Sequence, residues 1–177
     1  MKTIYYLLTL RNITKEKTDY MKKLVSACLC GIDCKYNGFN NQDPLFVQMY
    51  NEGKCMVICP ETSGGLSVPR SPCEIIGGDG GNVIDGKAKV INNNGEDMTS
   101  AFIDGAEQTL NTALKNQIDL VILKDRSPSC GVGEIYDGNF SGKLRTGDGV
   151  TAALLKKYGI NVISDKEYLM RFNNESN

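Results

Sequence analysis

Seven cysteines and not one histidine are spread over this 177-residue chain, and that imbalance narrows its chemistry. Without imidazole the usual general base, the commonest nitrogen ligand for zinc and the partner of a thiol-protease nucleophile are all missing. Proton transfer falls instead to carboxylates, hydroxyls, thiols or lysine. The odd number of cysteines and an N-terminal stretch without the pattern of a secretory signal point away from a disulfide framework and towards cytosolic metal or redox chemistry. Three thiols stand out by position: Cys28, Cys59 and Cys130. They lie tens of residues apart, whereas single zinc ions and thiol-exchange sites favour Cys-x-x-Cys pairs, a spacing this sequence lacks. A fully ligated cubane cluster takes four thiolates, so three converging ones leave one iron open. An open iron is a Lewis acid, and sulfur is a soft ligand that iron binds well.

The elements that must bring these thiols together are legible as apolar runs. Residues 24–28, 55–59 (CMVIC), 119–123 (DLVIL) and 161–163 read as short buried strands, and residues 44–50, 99–116 and 149–158 carry apolar positions at the helical period. Strands alternating with helices predict an α/β fold: three layers, with a mostly parallel, Rossmann-like sheet of about four strands. In such sheets ligands collect beyond the carboxyl ends of the strands. Cys28 ends the first strand, Cys59 ends the second, and Cys130 lies in the loop after the third, so one edge is expected to gather all three. A glycine-rich stretch, residues 70–97, follows the second strand. Two apolar arms within 82–91, around Asp85-Gly86, predict a small β-hairpin insertion there, acting as a flap.

The remaining thiols and charges carry plainer readings. Cys30 and Cys34 share the first loop with Cys28, and either stays open as a fourth ligand; Cys55 reads as core and Cys73 as a loop thiol. Arg70 and Lys124 fit either an anion-holding role or solvated strand ends. A formal net charge of -1 offers no basic face for a nucleic acid polymer or an anionic membrane, which leaves a small, roughly neutral substrate. The apolar run at residues 4–10 is far shorter than the roughly 20 residues a membrane span needs. Residues 1–20 are expected to be an upstream extension with Met21 the native start. Residues 21–171 then form a single α/β domain, followed by a polar tail, 172–177.

Four motifs occur in order: Val25-Ser-Ala-Cys28-Leu followed by Cys34-Lys-Tyr-Asn-Gly38; Cys59-Pro-Glu61 running into Gly64-Gly-Leu66; Pro69-Arg-Ser-Pro-Cys-Glu74; and Leu123-Lys124 leading to Ser127-Pro-Ser-Cys-Gly131. Together they resemble the DUF523 family, which includes 2-thiouracil desulfurases. The sequence departs where other members often carry a second leucine after the first cysteine, here Cys30. The resemblance implies a 4Fe-4S cluster held by Cys28, Cys59 and Cys130, with Glu61 and Ser127 beside it as catalytic residues acting on a small thiolated substrate. Desulfuration of a thioamide needs a soft site for sulfur, a proton-transfer group and an activated water. A glutamate two residues from a ligand and a nearby serine suit the last two. The competing reading is a structural or regulatory protein holding zinc or an iron–sulfur cluster in the same thiolates without turnover.

Overall fold

The structure, a computed structural model, describes residues 21–175; the expected extension at 1–20 lies outside the described residues. Four parallel strands form the central sheet: β1 (Lys23–Ser26), β2 (Met56–Ile58), β5 (Leu120–Leu123) and β8 (Val162–Ser164), in the order β2-β1-β5-β8. Register is set by Leu24 opposite both Met56 and Val121, and by Val121 opposite Val162. Strands β1 and β5 are buried at every position. The reason is that alternate side chains enter two separate cores. Leu24, Val121 and Leu123 pack on one face with Phe102, Ala106 and Leu155, while Val25, Leu120 and Ile122 pack on the other with Phe46 and Met49.

Helix α1 (Pro44–Asn51) covers the second face. It starts where Asp43 accepts the Leu45 N–H at 2.9 Å and Pro44 fills the first helical position. On the first face lies α4 (Thr99–Lys115), whose buried residues Phe102, Gly105, Ala106, Thr109, Leu110 and Ala113 recur every three to four positions. Beside it sits α5 (Val150–Lys157). The chain is therefore the expected three-layer α/β fold with a four-stranded parallel sheet. The C-terminal helix α6 (Asp165–Glu175) runs past residue 171, and its Tyr168 ring meets Phe46 at 5.6 Å between centroids.

The antiparallel insertion is present with different arms. Strand β3 (Cys73–Ile76) pairs with β4 (Lys89–Asn92), Cys73 facing Asn92 and Ile76 facing Lys89. Between them sits a helical turn, α3 (Gly80–Ile84). Asp85-Gly86 is consequently the exit of a helix and not the hairpin turn the sequence suggested. Asp79 and Asn82 cap each other's backbone N–H groups, which draws the 82–84 arm into the helix. A second ribbon, β6 (Glu134–Tyr136) with β7 (Leu144–Thr146), was not anticipated. Among the described residues no helix is long and apolar enough to cross a membrane.

Candidate active site

Because the four strands are parallel, the loops after β1, β2 and β5 all leave the same edge of the sheet. A 3-10 turn (Ala27–Cys30) carries Cys28 directly out of β1. Cys59 is the cap residue between β2 and the short helix α2 (Pro60–Ser63). Cys130 follows β5 in a loop seated on the first turn of α5. The backbone N–H groups of Gly149, Val150 and Thr151 donate to the carbonyls of Gly131, Pro128 and Ser129 at 2.8–2.9 Å. Helix-start donors that would otherwise lack partners are thereby used to fix the cysteine loop. A cavity of about 640 Å³ opens at this edge, and Cys28, Cys59, Cys130, Glu61, Ser127 and Arg70 all line it.

The carboxylate of Glu61 is held from two sides. Arg70 donates to Glu61 Oε2 from Nε at 2.8 Å and approaches the same oxygen with Nη2 at 2.6 Å. Ser127 Oγ donates to Oε1 at 3.3 Å. The arginine side chain is only 8 % exposed, which removes the reading of a solvated strand end. Its other donors go to the Ser67 carbonyl at 3.1 Å and the Cys34 carbonyl at 2.9 Å, so one guanidinium links the β1 loop, α2 and the segment before β3. Lys124 is committed elsewhere, to Asp125 and to Asp165. The hydroxyl of Ser127 accepts the N–H groups of Ser129 and Cys130 at 3.1 and 3.2 Å. Both its acceptor positions are then used, and its one proton points at Glu61.

Electrostatics separate the thiols. Cys34 lies between Cys28 and Cys59 and hydrogen-bonds to both; this lowers the Cys28 thiol and brings Cys59 down to about 6, against burial that pushes both up. Asn41 and the Lys124 charge favour the Cys28 thiolate further. Cys130 is raised by burial, and Ser26 Oγ, 3.6 Å from its sulfur, offsets part of that. Of the open alternatives for a fourth ligand, Cys34 lines the cavity. Cys30 is instead buried in the second core, its free thiol hydrogen-bonded to that of Cys55. Cys73, read from sequence as a plain loop thiol, begins β3 and reaches the cavity wall; burial, then the Glu61 charge, raise it to about 11.

The donor set suits a bulky group better than a lone ion. Among the described residues no three Cys, Asp or Glu side chains are gathered closely enough to hold a single metal ion. Three thiols standing around a cavity of this size match the sulfur-rich, spread ligand set of an iron–sulfur cluster. Sequence reasoning did not single out Ser26, Asn41 or the placement of Cys34. Ser26 and Cys34 fall within the first motif, which does not say what their side chains meet; a serine two residues before a candidate ligand was the available signal.

Comparisons with known proteins identify the chain's relatives. A model of the 2-thiouracil desulfurase family matches residues 24–167. The uncharacterized protein YbbK of Bacillus subtilis (strain 168) is 51% identical over 144 residues, spanning 81% of this chain and 95% of its own length. Among solved structures, the 4Fe-4S-dependent thiouracil desulfidase TudS matches with a TM-score of 0.73 at 38% identity. The match covers 83% of this chain and 92% of that one.

Proposed function

The chain belongs to the 2-thiouracil desulfurase family, and from that premise we propose that it replaces the sulfur of a thiolated nucleobase, such as 2-thiouracil, or a related thioamide with oxygen. Water adds at the carbon bearing sulfur, hydrosulfide leaves, and the product is the oxo form; no net oxidation or reduction is needed. The observation that carries this reading is the convergence of three thiols, a carboxylate and a hydroxyl on one cavity at the carboxyl edge of the sheet.

Cys28, Cys59 and Cys130 would hold a 4Fe-4S cluster, which when bound supplies a soft Lewis-acidic iron for the substrate sulfur. The chain's own groups handle the water and its protons. Arg70 occupies Glu61 Oε2, so Oε1 is the oxygen left to take a proton from the attacking water. Ser127, whose proton rests on that same oxygen, is placed to hydrogen-bond the water or the substrate and to return to Glu61 afterwards. Backbone donors hold this serine in place, so it needs no ordering on binding.

Anaerobic reconstitution with ferrous iron and sulfide, then incubation with 2-thiouracil, tests the proposal. It expects about four irons per chain, broad visible absorption and stoichiometric hydrosulfide and uracil. Cys28→Ala, Cys59→Ala and Cys130→Ala should each lose the iron. A reconstituted protein that binds zinc alone, or binds iron and releases no sulfide from any thioamide, would refute it in favour of a structural metal protein.

A further inference from the structure

One aromatic side chain at the cavity mouth is held there against its own backbone preference. Phe140, in the turn between β6 and β7, lines the cavity, is 39% exposed and has φ +53. A left-handed backbone is unfavourable for a phenylalanine, and such conformations persist only where surrounding contacts impose them. Here the contacts are explicit. The carboxylate of Glu74, on β3 and 8% exposed, accepts the Gly138 N–H at 2.8 Å and the Phe140 N–H at 3.0 Å, both through Oε2. Gly138 sits so close to β3 that a Cβ would lie 2.4 Å from the Ile75 carbonyl oxygen. Asp137 completes the turn, accepting from Asn139 N–H and Ser141 Oγ at 2.9 Å each. A buried carboxylate and a close backbone crossing thus spend stabilising contacts on holding a part-exposed apolar ring at the cavity mouth.

Across the loops, Tyr36 also lines the cavity and is 41% exposed. The Arg70 N–H donates to its carbonyl at 2.8 Å, which joins that residue to the arginine holding Glu61. Tyr136 and Pro72 add further flat or apolar surface to the same wall. The reacting groups lie deep in the cavity, and an aromatic surface stands at its rim.

We propose that Phe140 is the specificity-determining residue, giving a planar heteroaromatic thioamide a face to stack on, and that Glu74 is the positioning residue that holds it there. This rests on the desulfurase reading and deepens it. The site selects thiolated rings over open-chain thioamides such as thioacetamide, because an acyclic molecule offers the phenylalanine only the small face of its thioamide group and no ring to stack. Glu74 acts through Phe140: its Oε2 is taken up by the Gly138 and Phe140 N–H groups, and it sets where the aromatic edge of the cavity stands.

The test uses anaerobically reconstituted full-length protein and two readouts. Calorimetric binding of uracil, the oxo product, reports ring recognition without turnover. The ratio of kcat/KM for 2-thiouracil over thioacetamide reports selectivity. Base–aromatic stacking predicts that Phe140→Ala weakens uracil binding about tenfold and lowers the ratio similarly, through KM and with the visible spectrum unchanged. Phe140→Tyr should preserve both. Glu74→Ala should reproduce the loss, and Glu74→Gln, whose amide oxygen still accepts two N–H groups, should restore most of it. Phe140→Gly should bind uracil as poorly as Phe140→Ala while melting no lower than the parent, since glycine accepts the left-handed backbone. Uracil affinity within twofold of the parent in Phe140→Ala, or a melting temperature that collapses in Phe140→Gly, overturns the proposal. Ring binding that depends on Phe140 without any sulfide release would leave this assignment standing and sink the desulfurase reading; turnover indifferent to Phe140 would do the reverse.

Discussion

Gly105→Ala tests the crossing that sets the position of Cys59. Gly105 lies mid-helix in α4, where alanine is favoured over glycine by about 1 kcal/mol, so helix propensity alone predicts a more stable protein. The structure predicts the opposite. A Cβ at Gly105 would stand 2.0 Å from the Pro60 carbonyl oxygen, and one at Gly64 would stand 2.0 Å from the Ala101 carbonyl oxygen. Both obstacles are backbone, so no side chain can swing aside. To reach the 3.4 Å of ordinary contact from 2.0 Å, α2 must move off α4 by about 1.4 Å. Overpacking of this kind costs roughly 3 kcal/mol, which after the propensity gain leaves a net loss of about 2 kcal/mol. For a chain of this size that lowers the melting temperature by about 4–8 °C. Cys59 caps α2, and its carbonyl accepts from Ser63 N–H at 2.9 Å, so the cysteine moves with the helix. Thermal melts and iron per chain after anaerobic reconstitution measure both effects. A Gly105→Ala protein that melts at or above the parent temperature and loads a full complement of iron would refute the argument that this backbone contact fixes the site.

Three further outcomes follow from the cavity. Glu61→Gln keeps the Ser127 contact and the iron, and lowers the rate of sulfide release by about 10²- to 10⁴-fold, as loss of a general base should; single-turnover assays alongside iron analysis check it. Arg70→Ala removes the partner of a carboxylate that is 16 % exposed and strands the Cys34 carbonyl, so unfolding in urea should show a loss of about 3 kcal/mol. Arg70→Lys should recover part of that stability and little of kcat, because an ammonium cannot supply the fork that grips Glu61 and two carbonyls together. Deleting residues 1–20 should leave sulfide release unchanged, since the described residues that line the cavity already supply the three thiols, Glu61 and Ser127, all within 26–142.

The sheet was readable because its central strands obey a simple rule. Leu24-Val25 in β1 and LVIL in β5 are apolar without alternation, which happens when both faces of a strand are covered, and both strands are buried at every residue. Helix α4 was readable for a related reason: Phe102, Ala106, Leu110 and Ala113 repeat at its period. The insertion was not, because Asn82-Val-Ile followed by Asp-Gly fits a hairpin arm as well as a capped helical turn, and the decision rests on Asp79, three residues upstream of Asn82. Strands β6 and β7, three residues each, are too short to show a period, and Phe140 sits among glycines and serines with nothing in the pattern to flag it. Arg70 could be read either as an anion-holding group or as a solvated strand end, since its partners, Glu61, Ser67 and Cys34, are brought to it only by tertiary folding. Cys34 reached its place between Cys28 and Cys59 through a loop whose Gly31 has φ +87, a reversal that sequence spacing does not encode.

Strand order is what lets three distant thiols meet. From β1 the chain passes over one face of the sheet, through α1, to β2 on one side. It then recrosses on the other face, through α4, to β5 on the opposite side. The direction of winding therefore reverses at β1, and in open parallel sheets the loops on either side of such a reversal part to leave a crevice at the carboxyl edge. Cys28 leaves the strand at the reversal, Cys59 leaves its neighbour on one side, and the loop with Ser127 and Cys130 leaves its neighbour on the other. A sheet wound in one direction only would place the β1 loop at an edge, within reach of one of the other two loops but not both. The long second crossover adds Glu61 at its start, then Arg70, and then β3 with Glu74. The loop after β5 adds Ser127 and the ribbon that carries Phe140. Every group assigned to binding or proton transfer thus enters from the two connections that flank the crevice or from the β1 loop between them. That is why the arrangement can be dismantled at the backbone crossing of Gly105 with Pro60, although Gly105 itself does not line the cavity.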